Sequence, residues 1–183
     1  EIGHALGLRH PRNYGASDAW SEQFRPEDDN AGNTVMTDSA SQAGLYRLSW
    51  GPLDVIALRT MYGSKLVSAG DSVHVLTDGV GAALGLLLDE GGIDELDLSG
   101  VSAGAKVDLR ASHMSSIGRG ADGIASRDNL AMPAGTAIER VTGTPFDDAL
   151  IGNETDNWLQ GGLGNDRIDG GPGTDMSVYA GAR

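Results

Sequence analysis

The sequence predicts a mainly β chain with a few helices, in which a short helical part leads into a parallel β-roll. Three observations carry that reading. Residues 143–178 repeat every nine positions, each unit opening on glycine. Helical periodicity ends near residue 63, and short alternating runs between glycine-rich turns replace it. Glycine supplies 28 of the 183 residues, about twice its usual ~7% share, so tight turns and short strands must dominate.

Charge and length narrow the possibilities. The chain has 26 acidic and 13 basic residues, a net charge of −13. This argues against nucleic acid as a partner, because phosphate contacts need a basic patch, and it suits a chain that holds cations. Cysteine is absent, so disulfides play no part. The longest apolar stretch, Val80 to Leu88, is too short and too rich in glycine and alanine to cross a membrane. Two units are expected: residues 1–63, and a β-rich unit at 64–183.

The first element is Glu1-Ile-Gly-His-Ala-Leu-Gly-Leu-Arg-His10. It reads as the later part of H-E-x-x-H-x-x-G-x-x-H, opening on the glutamate, so the sequence reads as a fragment cut at both ends. Residues four apart share a helix face, so a histidine just before Glu1 would reach the same metal as His4. Gly7 lets the helix stop and the chain turn back, which brings His10 in as a further ligand. Catalytic zinc uses three protein ligands and one open position. Glu1 would stand beside that position, placed to take a proton from water.

Pro11 ends this helix, and residues 12–34 read as a polar loop. Met36, in Thr34-Val-Met-Thr-Asp38, stands where a methionine turn would form an apolar floor under the zinc imidazoles. Pro52 to Tyr62 reads as an amphipathic helix with Ser49 as cap and Gly63 as stop, its apolar face made by Leu53, Ile56, Ala57, Thr60 and Met61. Its expected job is packing under that floor. Short strands are expected at 73–76, 93–98, 105–109 and 137–141. His74 and His113 stand alone there and are expected to be structural or exposed.

The repeat units are GTPFDDALI, GNETDNWLQ, GGLGNDRID and GGPGTDMSV. Position 6 holds Asp148, Asn157, Asp166 and Asp175. Position 8 holds Leu150, Leu159, Ile168 and then Ser177. The pattern matches G-G-x-G-x-D-x-U-x, a calcium-binding β-helix repeat. Six residues make a turn, and three make a strand whose position 8 points inward. Two units complete a coil, so units 18 residues apart stack, pairing Asp148 with Asp166 and Asn157 with Asp175. Calcium takes six to eight hard oxygen ligands. These position-6 side chains and the backbone at Gly161, Gly162, Gly164, Gly170, Gly171 and Gly173 would supply them. Without the cation the stacked carboxylates should repel and the coil loosen.

Together, Glu1 to Pro11, Met36, the 53–63 helix, Ile93-Asp-Glu-Leu-Asp-Leu-Ser-Gly100 and the 143–178 repeats resemble the serralysin-type metzincins, secreted zinc endopeptidases with a calcium-loaded β-roll. The resemblance implies zinc at His4 and His10, Glu1 as general base, Met36 as the floor, and protein or peptide substrates. It also implies a monomer exported to the medium by a one-step, type I system and folded by external calcium. The family has a tyrosine two residues after the turn methionine, and here that place is taken by Asp38, a possible zinc ligand. A non-catalytic calcium-binding module with a degenerate protease remnant is the alternative reading.

Overall fold

In the computed structural model, the structure describes residues 34, 36, 51–62, 69–78, 85–120 and 122–180. One helix and eleven short strands lie within them: α1 (Pro52–Tyr62), then β1 (Val73–Val75), β2 (Gly85–Leu86), β3 (Glu95–Asp97), β4 (Lys106–Asp108), β5 (Met114–Ser115), β6 (Leu130–Ala131), β7 (Arg140–Thr142), β8 (Ala149–Ile151), β9 (Trp158–Gln160), β10 (Arg167–Asp169) and β11 (Met176–Val178).

Helix α1 has the predicted bounds but a different buried face. Ile56 is 46% exposed and Met61 47%, while Asp54 and Val55 are buried. The cause is the helix start. Asp54, the third helical residue, accepts the Gly51 N–H at 2.6 Å through Oδ2, which satisfies a donor that the helix itself leaves free. Its other oxygen accepts the hydroxyl of the buried Thr34. This pins the Asp54–Val55 side inward and turns Ile56 and Met61 outward. The predicted cap, Ser49, lies outside the described residues.

Strands after β6 alternate between two parallel sheets. The larger runs β1-β3-β7-β9-β11, the other β10-β8-β4, and a small sheet β2-β6-β5 stands beside them. Arg140 pairs with Trp158, Trp158 with Met176, and Ala149 with Arg167, each an offset of 18 residues. The predicted coil of two units is therefore present. The middle residues of these strands form two rows, and all but His74 and Ser177 pack into one core. In the larger sheet the row is His74, Leu96, Val141, Leu159 and Ser177; in the other it is Val107, Leu150 and Ile168. Leu96, Val107, Val141, Leu150 and Leu159 have essentially no exposure. Each such side chain contributes roughly 1.5–3 kcal/mol by leaving water. Three-residue strands hold little by themselves; the stacked rows make the coil stable.

Candidate metal centres

Turns of the roll stack as closely as the strands. A Cβ built on Gly162 would stand 2.2 Å from Thr144 O, one coil below, and one on Gly173 would stand 2.7 Å from Thr155 O. Both glycines have positive φ, which also favours glycine there. Backbone carbonyls of the lower coil therefore crowd the seam between coils. The stacked position-6 residues meet across that seam as the spacing predicts. Asp148 N donates to Asp166 Oδ1 at 3.0 Å, and Asn157 N to Asp175 Oδ1 at 2.9 Å. A second set of contacts runs the other way. Asn165 N donates down to Asp147 Oδ1 at 2.8 Å, and Thr174 N to Asp156 Oδ1 at 2.7 Å. The position-5 residues Asp147 and Asp156 were not singled out by the repeat consensus, which leaves position 5 free.

The four position-6 groups differ in what else they hold. Asp148 is buried, and its carboxylate accepts Ala105 N at 2.6 Å, Thr144 N at 2.7 Å and Thr144 Oγ1 at 2.9 Å. Burial raises its pKa, these hydrogen bonds lower it, and the Asp166 charge raises it; the net direction is upward. Asn157 is buried too. Its Oδ1 accepts Asn153 N at 2.9 Å, and its Nδ2 faces Ile138 O, Glu139 O and Asn153 Oδ1. In the upper coil, Oδ2 of Asp166 and of Asp175 lies over the first glycine of its own turn, Gly161 or Gly170. A Cβ on either glycine would fall within 2.4 Å of that oxygen.

The position-6 pattern continues below the repeats. Ser72 N donates to Asp94 Oδ1 at 2.8 Å, and Asp94 N to Glu139 Oε2 at 2.9 Å. Ser72, Asp94 and Glu139 each immediately precede a strand of the larger sheet, as Asn157 and Asp175 do. Sequence reasoning missed Asp94 and Glu139 because paired residues in the lower coils are 22 and 45 positions apart, so no fixed period exists. The available signal was a polar residue directly before each alternating triplet.

Asp94 sits beside Asp89, and both are fully buried. Asp89 Oδ2 pairs with His74 Nε2 at 2.7 Å. Asp89 Oδ1 and Asp94 Oδ2 have no hydrogen-bond partner. Burial first, then the charges of Asp89 and Glu139, push the Asp94 pKa up despite its bond from Ser72 N. Two buried carboxylates with free oxygens call for a proton or a cation between them. Among the described residues no three His, Asp or Glu side chains converge on one point, so any calcium there or in the repeats must draw most of its ligands from backbone carbonyls.

Met36, expected to lie under the zinc imidazoles, is buried, and its N–H donates at 2.9 Å to Thr34 Oγ1. Through the Thr34 hydroxyl, Met36 is tied to Asp54 and the start of α1. Glu1, His4, His10 and Asp38 lie outside the described residues. His74 is held by Asp89, and His113 is exposed, with Nδ1 3.0 Å from Ala111 O.

Known proteins agree with this architecture. A family profile for the RTX calcium-binding nonapeptide repeat, in four copies, matches residues 142–176. A serralysin of Photorhabdus luminescens is 33% identical over 184 residues, covering 87% of this chain and 36% of that protein. Serralysin C of Dickeya chrysanthemi is 33% identical over 171 residues, covering 82% and 34%. The metallopeptidase AprA of Pseudomonas marginalis is 30% identical over 185 residues, covering 87% and 37%. The chain thus spans a little over a third of the length of the curated relatives it matches. With its RTX repeats, its parallel roll and this likeness along most of its length, the chain is of the serralysin type.

Proposed function

We propose that the chain belongs to an extracellular zinc endopeptidase whose roll is stabilised by calcium. The observation that carries this reading is the buried Met36, tied through Thr34 to the start of α1, in a sequence similar to serralysins over 87% of its length. Residues 1–63 form the closing part of the catalytic unit and 64–183 the roll. His4 and His10 hold zinc, which when bound polarises the scissile carbonyl and lowers the pKa of its water. Glu1 takes the proton from the attacking water and delivers it to the leaving amine. Asp38 stands where the family has tyrosine, and as a carboxylate it would add a further metal ligand. Protein or peptide chains are the substrates, and export follows a type I route.

In the roll, calcium fits between stacked turns. The ligands are Asp166 and Asp175, with carbonyls of the 143–148 and 152–157 turns and of the glycines above them. The mixed set of carboxylates and backbone oxygens is the hard-oxygen set that calcium takes. Two measurements test the whole. Casein hydrolysis by the zinc-loaded full-length protein should fall at least ~10³-fold in Glu1→Gln, in keeping with loss of a general base. Equal activity in both would leave the non-catalytic calcium-binding module as the reading. Circular dichroism should show β-structure lost when calcium is chelated, and an unchanged spectrum would remove calcium from the account.

A further inference from the structure

The two coils of the nonapeptide region are closed in different ways. In the upper coil, position 2 is Gly162 or Gly171, and position 6 is an aspartate. In the lower coil, position 2 is Thr144 or Asn153, and these side chains fill the seam themselves. Thr144 Oγ1 donates to Asp148 and accepts Phe146 N at 3.1 Å. Asn153 Oδ1 accepts Thr155 N at 3.0 Å and Thr155 Oγ1 at 2.7 Å, while its Nδ2 donates to Ile138 O at 3.0 Å.

The seam below Asn157 is the clearest case. Three oxygens surround Asn157 Nδ2: Ile138 O at 3.3 Å, Glu139 O at 3.5 Å and Asn153 Oδ1 at 3.2 Å. The orientation of the amide is fixed, because Oδ1 faces the backbone N–H of Asn153, and two backbone carbonyls can only accept from Nδ2. Calcium holds its oxygens at about 2.3–2.6 Å and wants six to eight of them, with carboxylates among them. This shell is wider by most of an ångström, contains three oxygens, and carries no charge. The nearby Glu139 carboxylate is bonded to Asp94 N. The seam fits an amide and does not fit calcium.

We infer that Asn157, supported by Asn153, stands in the place of a cation, so that the 143–160 coil closes without calcium and serves as a preformed base for the calcium-dependent 161–178 coil. The other turn of the lower coil is closed by protein donors instead: the Asp148 carboxylate accepts Ala105 N, Thr144 N and Thr144 Oγ1. The inference rests on the reading that the repeats bind calcium, and it narrows that reading: the position-6 groups of the lower coil are hydrogen-bonding groups, and the cation ligands begin at Asp166 and Asp175.

Hydrogen exchange on the full-length chain, with calcium and with chelator, tests it. Peptides covering 161–178 should exchange at least roughly tenfold faster in chelator, whereas peptides covering 149–160 should change less than about twofold. Asn157→Asp puts a carboxylate against three oxygens. It should make 149–160 as chelator-sensitive as 161–178 while leaving it protected in calcium. Asn153→Gly removes one of the three oxygens and the bond to Ile138 O without adding a carboxylate; it should speed exchange of 149–160 with calcium and with chelator alike, and serves if the aspartate variant fails to fold. Acceleration of 149–160 together with 161–178 in wild type overturns the inference, as does full protection of 149–160 in chelator in a variant that folds. A 161–178 segment indifferent to calcium would instead refute the calcium reading itself.

Discussion

Replacing Gly162 with alanine separates close stacking from backbone strain, because Gly123 offers a matched control. Both have positive φ, +96° and +75°, and an L side chain there costs roughly 1–2 kcal/mol. They differ in surroundings. Nothing lies within 4 Å of a Cβ on Gly123, whereas one on Gly162 stands 2.2 Å from the Thr144 carbonyl oxygen. Real Cβ contacts essentially never fall below 3.0 Å, so the coils must part locally by about 0.8 Å. Three of the hydrogen bonds that cross this seam are Asp148 N to Asp166 Oδ1 at 3.0 Å, Arg167 N to Asp148 O at 2.8 Å and Gly143 N to Gln160 O at 2.8 Å. Lengthened by that amount, they leave the bonding range. At about 1 kcal/mol each, their loss plus strain brings Gly162→Ala to roughly 4–5 kcal/mol, against about 1–2 kcal/mol for Gly123→Ala. Urea unfolding at saturating calcium measures both. Equal costs, within ~0.5 kcal/mol, would refute the claim that turn stacking excludes a side chain at Gly162.

Three further outcomes follow from the packing and charge. Asp94→Asn should stabilise the metal-free chain at neutral pH by about 1 kcal/mol or more, by ending the contact between two buried carboxylates. The sign follows from the raised pKa: the native state binds the proton more tightly than the unfolded chain, so metal-free wild type gains stability as pH falls through the native pKa towards the unfolded value. The variant should lose that slope, and melting temperatures across acid pH in chelator check it. Leu159→Ala, at a fully buried central position, should cost about 2–5 kcal/mol, while Leu163→Ala, 62% exposed, should stay within ~0.5 kcal/mol by the same urea measurement. Thr34→Val removes the hydroxyl shared by Met36 N and Asp54. It should cost roughly 1–3 kcal/mol, read from thermal unfolding.

Regularity decided what could be read from the sequence. Where units keep a nine-residue period, the strand register, the inward leucines and the stacked position-6 pairs all follow from spacing. The roll also extends back to β1, but its earlier coils carry insertions, including the β2-β6-β5 sheet, and insertions erase a period while leaving the geometry intact. Asp94 and Glu139 were therefore hidden although they repeat the same contacts. The face of α1 was misread for another reason. Apolar periodicity selected Ile56 and Met61, but a buried capping carboxylate at Asp54 fixed the rotation, and periodicity gives no weight to a polar residue. Nor could the consensus show that Asn157 and Asp148 are already occupied by protein donors, since that depends on Asn153 and Thr144 at a position where glycine is the rule.

The 18-residue register has a mechanical consequence. Coils joined only to the coils above and below are links in series along the roll axis. A force along that axis loads one seam at a time, and each rupture frees a single coil. Eighteen residues of extended chain measure about 60 Å, so pulling on the last strand should give steps of that length while the 143–178 coils unwind, where a single cooperative globule would give one large step. The spacing belongs to the backbone stacking, whereas the height of each step reports what closes that seam. A chelator should therefore weaken the outer step and leave the step length unchanged.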